Sequence, residues 1–176
     1  AIKHLRGAGD AYTEMVGKKG AGVFKFNKIP VAEQHTVFGD NPQFEDVERL
    51  AREYMARFMA GEITSVHVVY MRFVSTARQP PTALQLLPLK PPAAGEGSAP
   101  GGGGVDYEFT PAPADLLADL LPETVKATLY QAFLDAVVSE HVARMVAMKA
   151  ATDNAGDMGK TLGRKYNRAR QAQITT

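Results

Sequence analysis

The chain has 176 residues, of which 45% are hydrophobic and 22% charged, with a formal net charge of +1 and no cysteine. This length suits one domain, or one domain with an appendage, and the composition is that of an ordinary water-exposed protein. Disulfides and thiolate metal sites are excluded, no apolar run approaches the ~20 residues of a membrane-spanning helix, and the front lacks the basic and apolar regions of an export signal.

The opening "AIKHLRGAG" reads as the last turns of a helix, with Ile2 and Leu5 at helical spacing and bases near a closing Gly7. "YTEMVG" (12–17) is a strand candidate closed by the turn signal "GKKGAG", followed by a brief helix or irregular piece, "VFKFNK". "IPVAEQHTVF" (29–38) reads as a second strand. In "GDNPQFEDVERLAREYMARFMAGE", Asn41 can cap a helix, Pro42 suits its first position, and Glu45 and Asp46 sit in its electropositive first turn. Phe44, Val47, Leu50, Ala51, Tyr54 and Phe58 form one apolar stripe, and Gly61 ends the helix.

"TSVHVVYMRFVST" (64–76) is β-branched and apolar on both faces, which predicts an interior strand covered on each side. "PTALQLLPL" is read as a further extended segment. "KPPAAGEGSAPGGGG" (90–104) is a Pro/Gly tract with nothing to bury and is expected to be a surface loop. "VDYEF" (105–109) resumes strand character, and Thr110-Pro111 starts the next helix. Pro122 is expected to break or restart that helix, and from there to the end nothing stops it.

About 54 residues at ~1.5 Å each make a rod of roughly 80 Å, far wider than the body that precedes it. Its first part carries a broad apolar face: Val125, Leu129, Ala132, Phe133, Ala136 and Val137. Beyond His141 the spacing changes to alternating threes and fours through Met145, Met148, Thr152, Ala155, Gly159, Leu162, Tyr166 and Ala169. That is the pattern of a coiled-coil seam, thin enough at Ala155 and Gly159 for a second helix to approach closely. No second long helix stands in the sequence, so its partner is expected elsewhere. Beginning in one helix and ending in another, the chain reads as a fragment.

Charge is unevenly distributed. From His141 onward seven Lys/Arg face two Asp, a balance of +5, and the preceding 140 residues carry −4. The basic end "GRKYNRARQ" (163–171) fits a solvated helix face, a nucleic-acid contact through Arg, Lys and Tyr166, or an acidic protein surface. Catalytic patterns fail. "GDMGKT" (156–161) resembles the end of a phosphate loop, but Asn154 stands where glycine belongs, inside a predicted helix. "GAGDAY" (7–12) has Tyr12 where a dinucleotide fingerprint needs a small residue, and "GKKGAG" reads as a strand-to-helix turn. The four histidines show no metal spacing, and Glu140 and His141 diverge around a helix.

"SEHVARMVAMKAATDNAGD" followed by "YNRARQAQIT" resembles the C-terminal helix of the gamma subunit of rotary ATP synthases. "FEDVERLAREYMARFMAGEI", "VYMRFVSTARQPPTALQLLPL" and "YEFTPAPADLLADLL" resemble that family's central α/β domain in order, least clearly over 1–40. The family's long N-terminal helix and its "TSDRGLCGG"-like segment are absent, and its C-terminal helix continues past "QIT". The resemblance implies an open Rossmann-like α/β sheet with flanking helices, here 1–121 with its loop at 90–104. It also implies a shaft helix, 122–176, forming half of an antiparallel coiled coil with the missing N-terminal helix.

The function so implied is that of the rotor of the F1 sector of a proton-translocating ATP synthase, non-catalytic and without metal or cofactor. Its partners would be the alpha and beta subunits, the epsilon subunit and the membrane c-ring. Its place would be peripheral, on the cytoplasmic face of a bacterial inner membrane, or on an organellar inner or thylakoid membrane. On the family's positions, Arg170, Gln171 and Thr175 contact an acidic loop of a catalytic subunit, Arg144 meets an acidic segment facing the rotor, and Tyr107 and Phe109 touch the ring. Two other readings stand beside it: an α/β binding domain whose basic helix engages nucleic acid or another acidic partner, and an independent small-molecule α/β enzyme, for which a deep polar pocket with converging titratable groups would be needed.

Overall fold

The computed structural model describes residues 11–90 and 112–175. The opening helical turns, the tract from 91 to 104, the strand expected at 105–109 and the helix start at Thr110-Pro111 lie outside these residues. The elements run β1 (Glu14–Val16), α1 (Lys19–Phe26), β2 (Glu33–His35), α2 (Phe44–Met59), β3 (Val66–Met71), β4 (Pro81–Leu87) and α3 (Pro113–Ile174). This is an α/β fold with a long C-terminal helix. Among the described residues its strands associate two by two.

β1 and β2 pair in parallel, with Glu14 opposite Glu33 and Val16 opposite His35, so α1 is the crossover between them. The turn falls at Gly17, whose φ of +96° is open to glycine and strained for other residues. α1 begins at Lys19, inside the segment expected to be turn only. Gly20 lets it sit close to β1: a Cβ there would stand 2.7 Å from the Met15 sulfur. Phe24 is the residue α1 buries.

α2 starts two residues later than Asn41 and Pro42 suggest. Gln43, in extended conformation, precedes the first turn without a side-chain cap. Pro42 is instead buried in the approach to the helix, and Asn41 offers its backbone carbonyl to Gln43 Nε2. Glu45 and Asp46 do occupy the first turn, and Gly61 follows the last with φ +76°.

β3 runs antiparallel to β4, from Val66 opposite Leu87 to Met71 opposite Pro81, with an irregularity between Val66 and His67. The expected double cover is not found among the described residues: no β3 side chain is fully buried, and His67 and Met71 are exposed. Leu86 and Leu87 of β4 take the deep positions instead, so the β-branched run of β3 reflects strand preference more than burial.

α3 is continuous through Pro122, a correction to the predicted break. Proline removes one backbone donor and crowds the preceding turn, a cost of about 3 kcal/mol. The seat that begins three residues later offsets it, because Val125 and Leu129 belong to the core and each enclosed side chain contributes about 1.5–3 kcal/mol. That core joins Phe38, Val47, Leu50, Ala51, Leu86, Leu87, Val125 and Leu129, with Tyr54, Phe58 and Phe133 packed around it. Phe38 and Phe133 meet at 4.8 Å between ring centroids, and Phe44 meets Tyr130 edge-on at 5.4 Å.

Candidate functional site

α3 divides into a seat and a free length. In the seat Val125, Leu129 and Ala132 are at most 2% exposed, as their spacing predicts, while Phe133, Ala136 and Val137 are half-buried. Two polar residues are buried with them, Lys126 at 7% exposure and Ser139 at 3%. Lys126 Nζ donates to Glu48 Oε1 of α2 at 2.9 Å and to Glu123 Oε1 at 2.6 Å. These contacts hold the Lys126 ammonium above its ordinary pKa, the Glu123 bond contributing most. Lys126, then Arg52, hold the Glu48 carboxyl below the usual range. Ser139 Oγ donates to the Met71 carbonyl at the end of β3, 3.0 Å away. Lys126 and Ser139 carry no sequence motif; the available signal was a polar residue at each flank of an apolar stripe.

The seat ends at Val142, and every residue from 143 to 175 is exposed, a free length of about 50 Å. Met145 at 58%, Met148, Leu162 and Tyr166 at 67% exposure mark the seam. A Cβ on Gly156, Gly159 or Gly163 would meet nothing within 4 Å. This row of apolar and small residues at alternating threes and fours, exposed on the helix, has the spacing of a coiled-coil seam. The phosphate-loop look-alike at 156–161 lies within this helix, where backbone amides already serve the i−4 carbonyls.

Arg144 stands at the start of the free length. It donates to Glu140 Oε1 at 2.8 Å, and Lys19 of α1 reaches the same oxygen at 3.3 Å. The Arg144 guanidinium, and after it the Lys19 ammonium, hold the Glu140 carboxyl below the usual carboxylate range. At this exposure such pairs orient side chains more than they stabilise the fold. Arg170, Gln171 and Thr175 are exposed in the last turns. Thr175 ends the helix, its backbone N–H and its Oγ both donating to the Gln171 carbonyl at 3.0 and 2.8 Å. Gln171 and Thr175 share a face, with Arg170 beside it, whereas Arg144 lies about 39 Å back along the axis. Tyr107 and Phe109 lie outside the described residues.

One polar cluster was invisible in the sequence. The parallel register brings His35 beside Glu14 and Glu33, and ligand-type atoms of all three lie within 4.8 Å of one another. His35 Nε2 is 3.0 Å from Glu14 Oε2, Tyr54 donates to that same oxygen at 2.5 Å, and Arg57 reaches Oε1 at 3.4 Å. Both Glu14 oxygens are thus engaged by protein donors, and the group ties the β1–β2 pair to α2.

Among the described residues no helix is long and apolar enough to cross a membrane. A family model described as ATP synthase matches residues 3–176. The ATP synthase gamma chain of Rhodopirellula baltica is 42% identical over 178 residues, covering 99% of this chain and 60% of that relative. That of Anaeromyxobacter dehalogenans strain 2CP-C is 42% identical over 91% of this chain and 54% of its own length. The Rubrobacter xylanophilus gamma chain is 41% identical over 90% and 55%. The chain therefore spans between 54% and 60% of the length of these relatives.

Proposed function

Because this chain belongs to the ATP synthase gamma chain family, we propose that it is part of a rotor. It is the non-catalytic central stalk of the F1 sector of a proton-translocating ATP synthase. The observation that carries this reading is α3 itself: one helix of 62 residues, seated on an α/β body for part of its length and bare for the rest. A body that turns with the membrane c-ring carries the free length round inside a hexamer of alpha and beta subunits. Contacts differ at each angle, so each catalytic site is driven in turn toward a different conformation by the difference in contact energy. The chemistry of ATP belongs to those subunits.

In this reading residues 1–121 are the body and 122–176 the shaft. The exposed seam receives the family's N-terminal helix, and the epsilon subunit binds the rotor. Arg144, Arg170, Gln171 and Thr175 meet acidic segments of the hexamer, where arginine offers two parallel donors to a carboxylate. Tyr107 and Phe109 face the ring, and the complex is peripheral on the cytoplasmic side of a bacterial inner membrane. The nucleic-acid reading of the basic end finds no support in the relatives.

The test is assembly. The chain co-purifies with an alpha–beta hexamer, and Arg170→Ala combined with Gln171→Ala weakens that association. Salt-sensitive binding to duplex DNA with no association to the hexamer would overturn the proposal.

A further inference from the structure

A helix seated by Val125, Leu129 and Ala132 has a weakness as a shaft: apolar burial is non-directional, so a smooth stripe by itself fixes poorly how far the helix is rolled or slid. Lys126 and Ser139 supply direction. At ~100° per residue, Lys126 lies about 90° to one side of the stripe's centre and Ser139 about 50° to the other. Along the axis they stand about 20 Å apart, near the two ends of the seat. Each holds a partner far away in the sequence: Glu48 of α2, 78 residues from Lys126, and the Met71 carbonyl of β3, 68 residues from Ser139. A roll in either direction, or a slide by one residue, breaks at least one of these contacts.

We infer that Lys126 and Ser139 are positioning residues that lock the roll and slide of α3 on the body, so that the free length turns with the body without slipping. The inference rests on the rotor reading for its purpose, while the lock itself is a property of this chain. A role in fold stability alone is separable from it. With Lys126→Met, Glu48 keeps Arg52 at 2.7 Å and Glu123, 61% exposed, keeps solvent. No buried charge is then left unpaired, which avoids the uncompensated charge that makes loss of one partner of a buried pair strongly destabilising.

The chain contains no cysteine, so cysteines introduced at Thr76, in the exposed loop after β3, and at Lys149, on the free length, take two spin labels uniquely. Pulsed electron–electron distance measurement then reads the register of helix on body. The parent gives one narrow distance distribution. Lys126→Met with Ser139→Ala broadens it or adds a population displaced by about 10 Å, the shift that one ~100° step of roll gives a surface label. Lys126→Met alone broadens it part-way, and Lys126→Arg with Ser139→Thr restores the parent width. An unchanged distribution in the folded double variant overturns the inference. If circular dichroism shows that the double variant does not fold, a parent-like width in Lys126→Met alone overturns it. Hexamer co-purification of the parent chain reads the rotor proposal separately: failure of the parent to assemble, with a register that slips in the double variant, sinks that proposal and supports the lock, and parent assembly with an unmoved register does the reverse.

Discussion

Tyr54 donates its phenolic hydrogen to Glu14 across 40 residues of sequence, joining α2 to the first strand of the parallel pair. The same carboxylate receives His35 and Arg57, so one side chain gathers three elements. Burial, and after it the bond to Glu14, push the Tyr54 phenol well above its usual pKa.

Tyr54→Phe is expected to destabilise the fold by about 1.5–3 kcal/mol, the range for a lost hydrogen bond to a charged acceptor, and no more, because Glu14 keeps its other partners. Urea unfolding of the two proteins checks it. A loss below about 0.5 kcal/mol would mean that the phenol contributes no more than an ordinary surface contact.

Alkaline pH gives a second reading of the same bond. A phenol whose folded pKa is raised contributes stability that is fully present below its unfolded value, about 10. That contribution is lost as pH rises through the folded value. The stability gap between parent and Tyr54→Phe therefore narrows above about pH 10. Ultraviolet titration is expected to show one tyrosine that ionises only as the fold opens.

On the acid side the relevant groups are Glu48 and Glu140, both held below the usual range by basic neighbours. Their contribution is present above the unfolded carboxylate value, about 4.3, and is lost as pH falls through the lowered folded values. Thermal unfolding midpoints are expected to drop below about pH 4.5, and Lys126→Met is expected to shrink that drop. Identical acid profiles would show that the Lys126–Glu48 bridge does not couple to folding.

The seat depends on Leu129, which is 2% exposed. Leu129→Ala is expected to cost about 2–5 kcal/mol through lost burial and the cavity left behind. Amide exchange then separates the two parts of α3. In the parent, the seat exchanges slowly while 143–175 exchanges fast in dilute solution, since an isolated helix holds its shape poorly in water. Added peptide matching the N-terminal helix of a gamma chain slows that region. Strong protection of 143–175 in the dilute chain alone would contradict the need for a partner.

What could be read in advance followed periodicity. The apolar stripe of α2 and the seated face of α3 each obey a helical repeat that burial imposes directly on sequence. Element ends were less legible: α2 begins at Phe44 because Pro42 is buried rather than placed in the first turn, and Pro122 is absorbed because the core grips α3 just beyond it. The Glu14 cluster and the two polar contacts of the seat were hidden for a different reason. They depend on strand register and on residues 40 to 78 positions apart, which no local pattern encodes. Arg144, Arg170, Gln171 and Thr175 were singled out by resemblance: they are exposed, and the contacts Arg144 makes to Glu140 and Thr175 to the Gln171 carbonyl are ordinary helix-surface pairs.

Whether this chain turns as a shaft can be read by watching it turn. A bead is tethered through a cysteine placed at Lys25, on exposed helix α1, in a complex assembled with the catalytic hexamer and supplied with ATP. A rotor steps in one direction and stops when ATP is removed. A complex that hydrolyses ATP while the bead keeps a fixed angle would contradict the rotor reading.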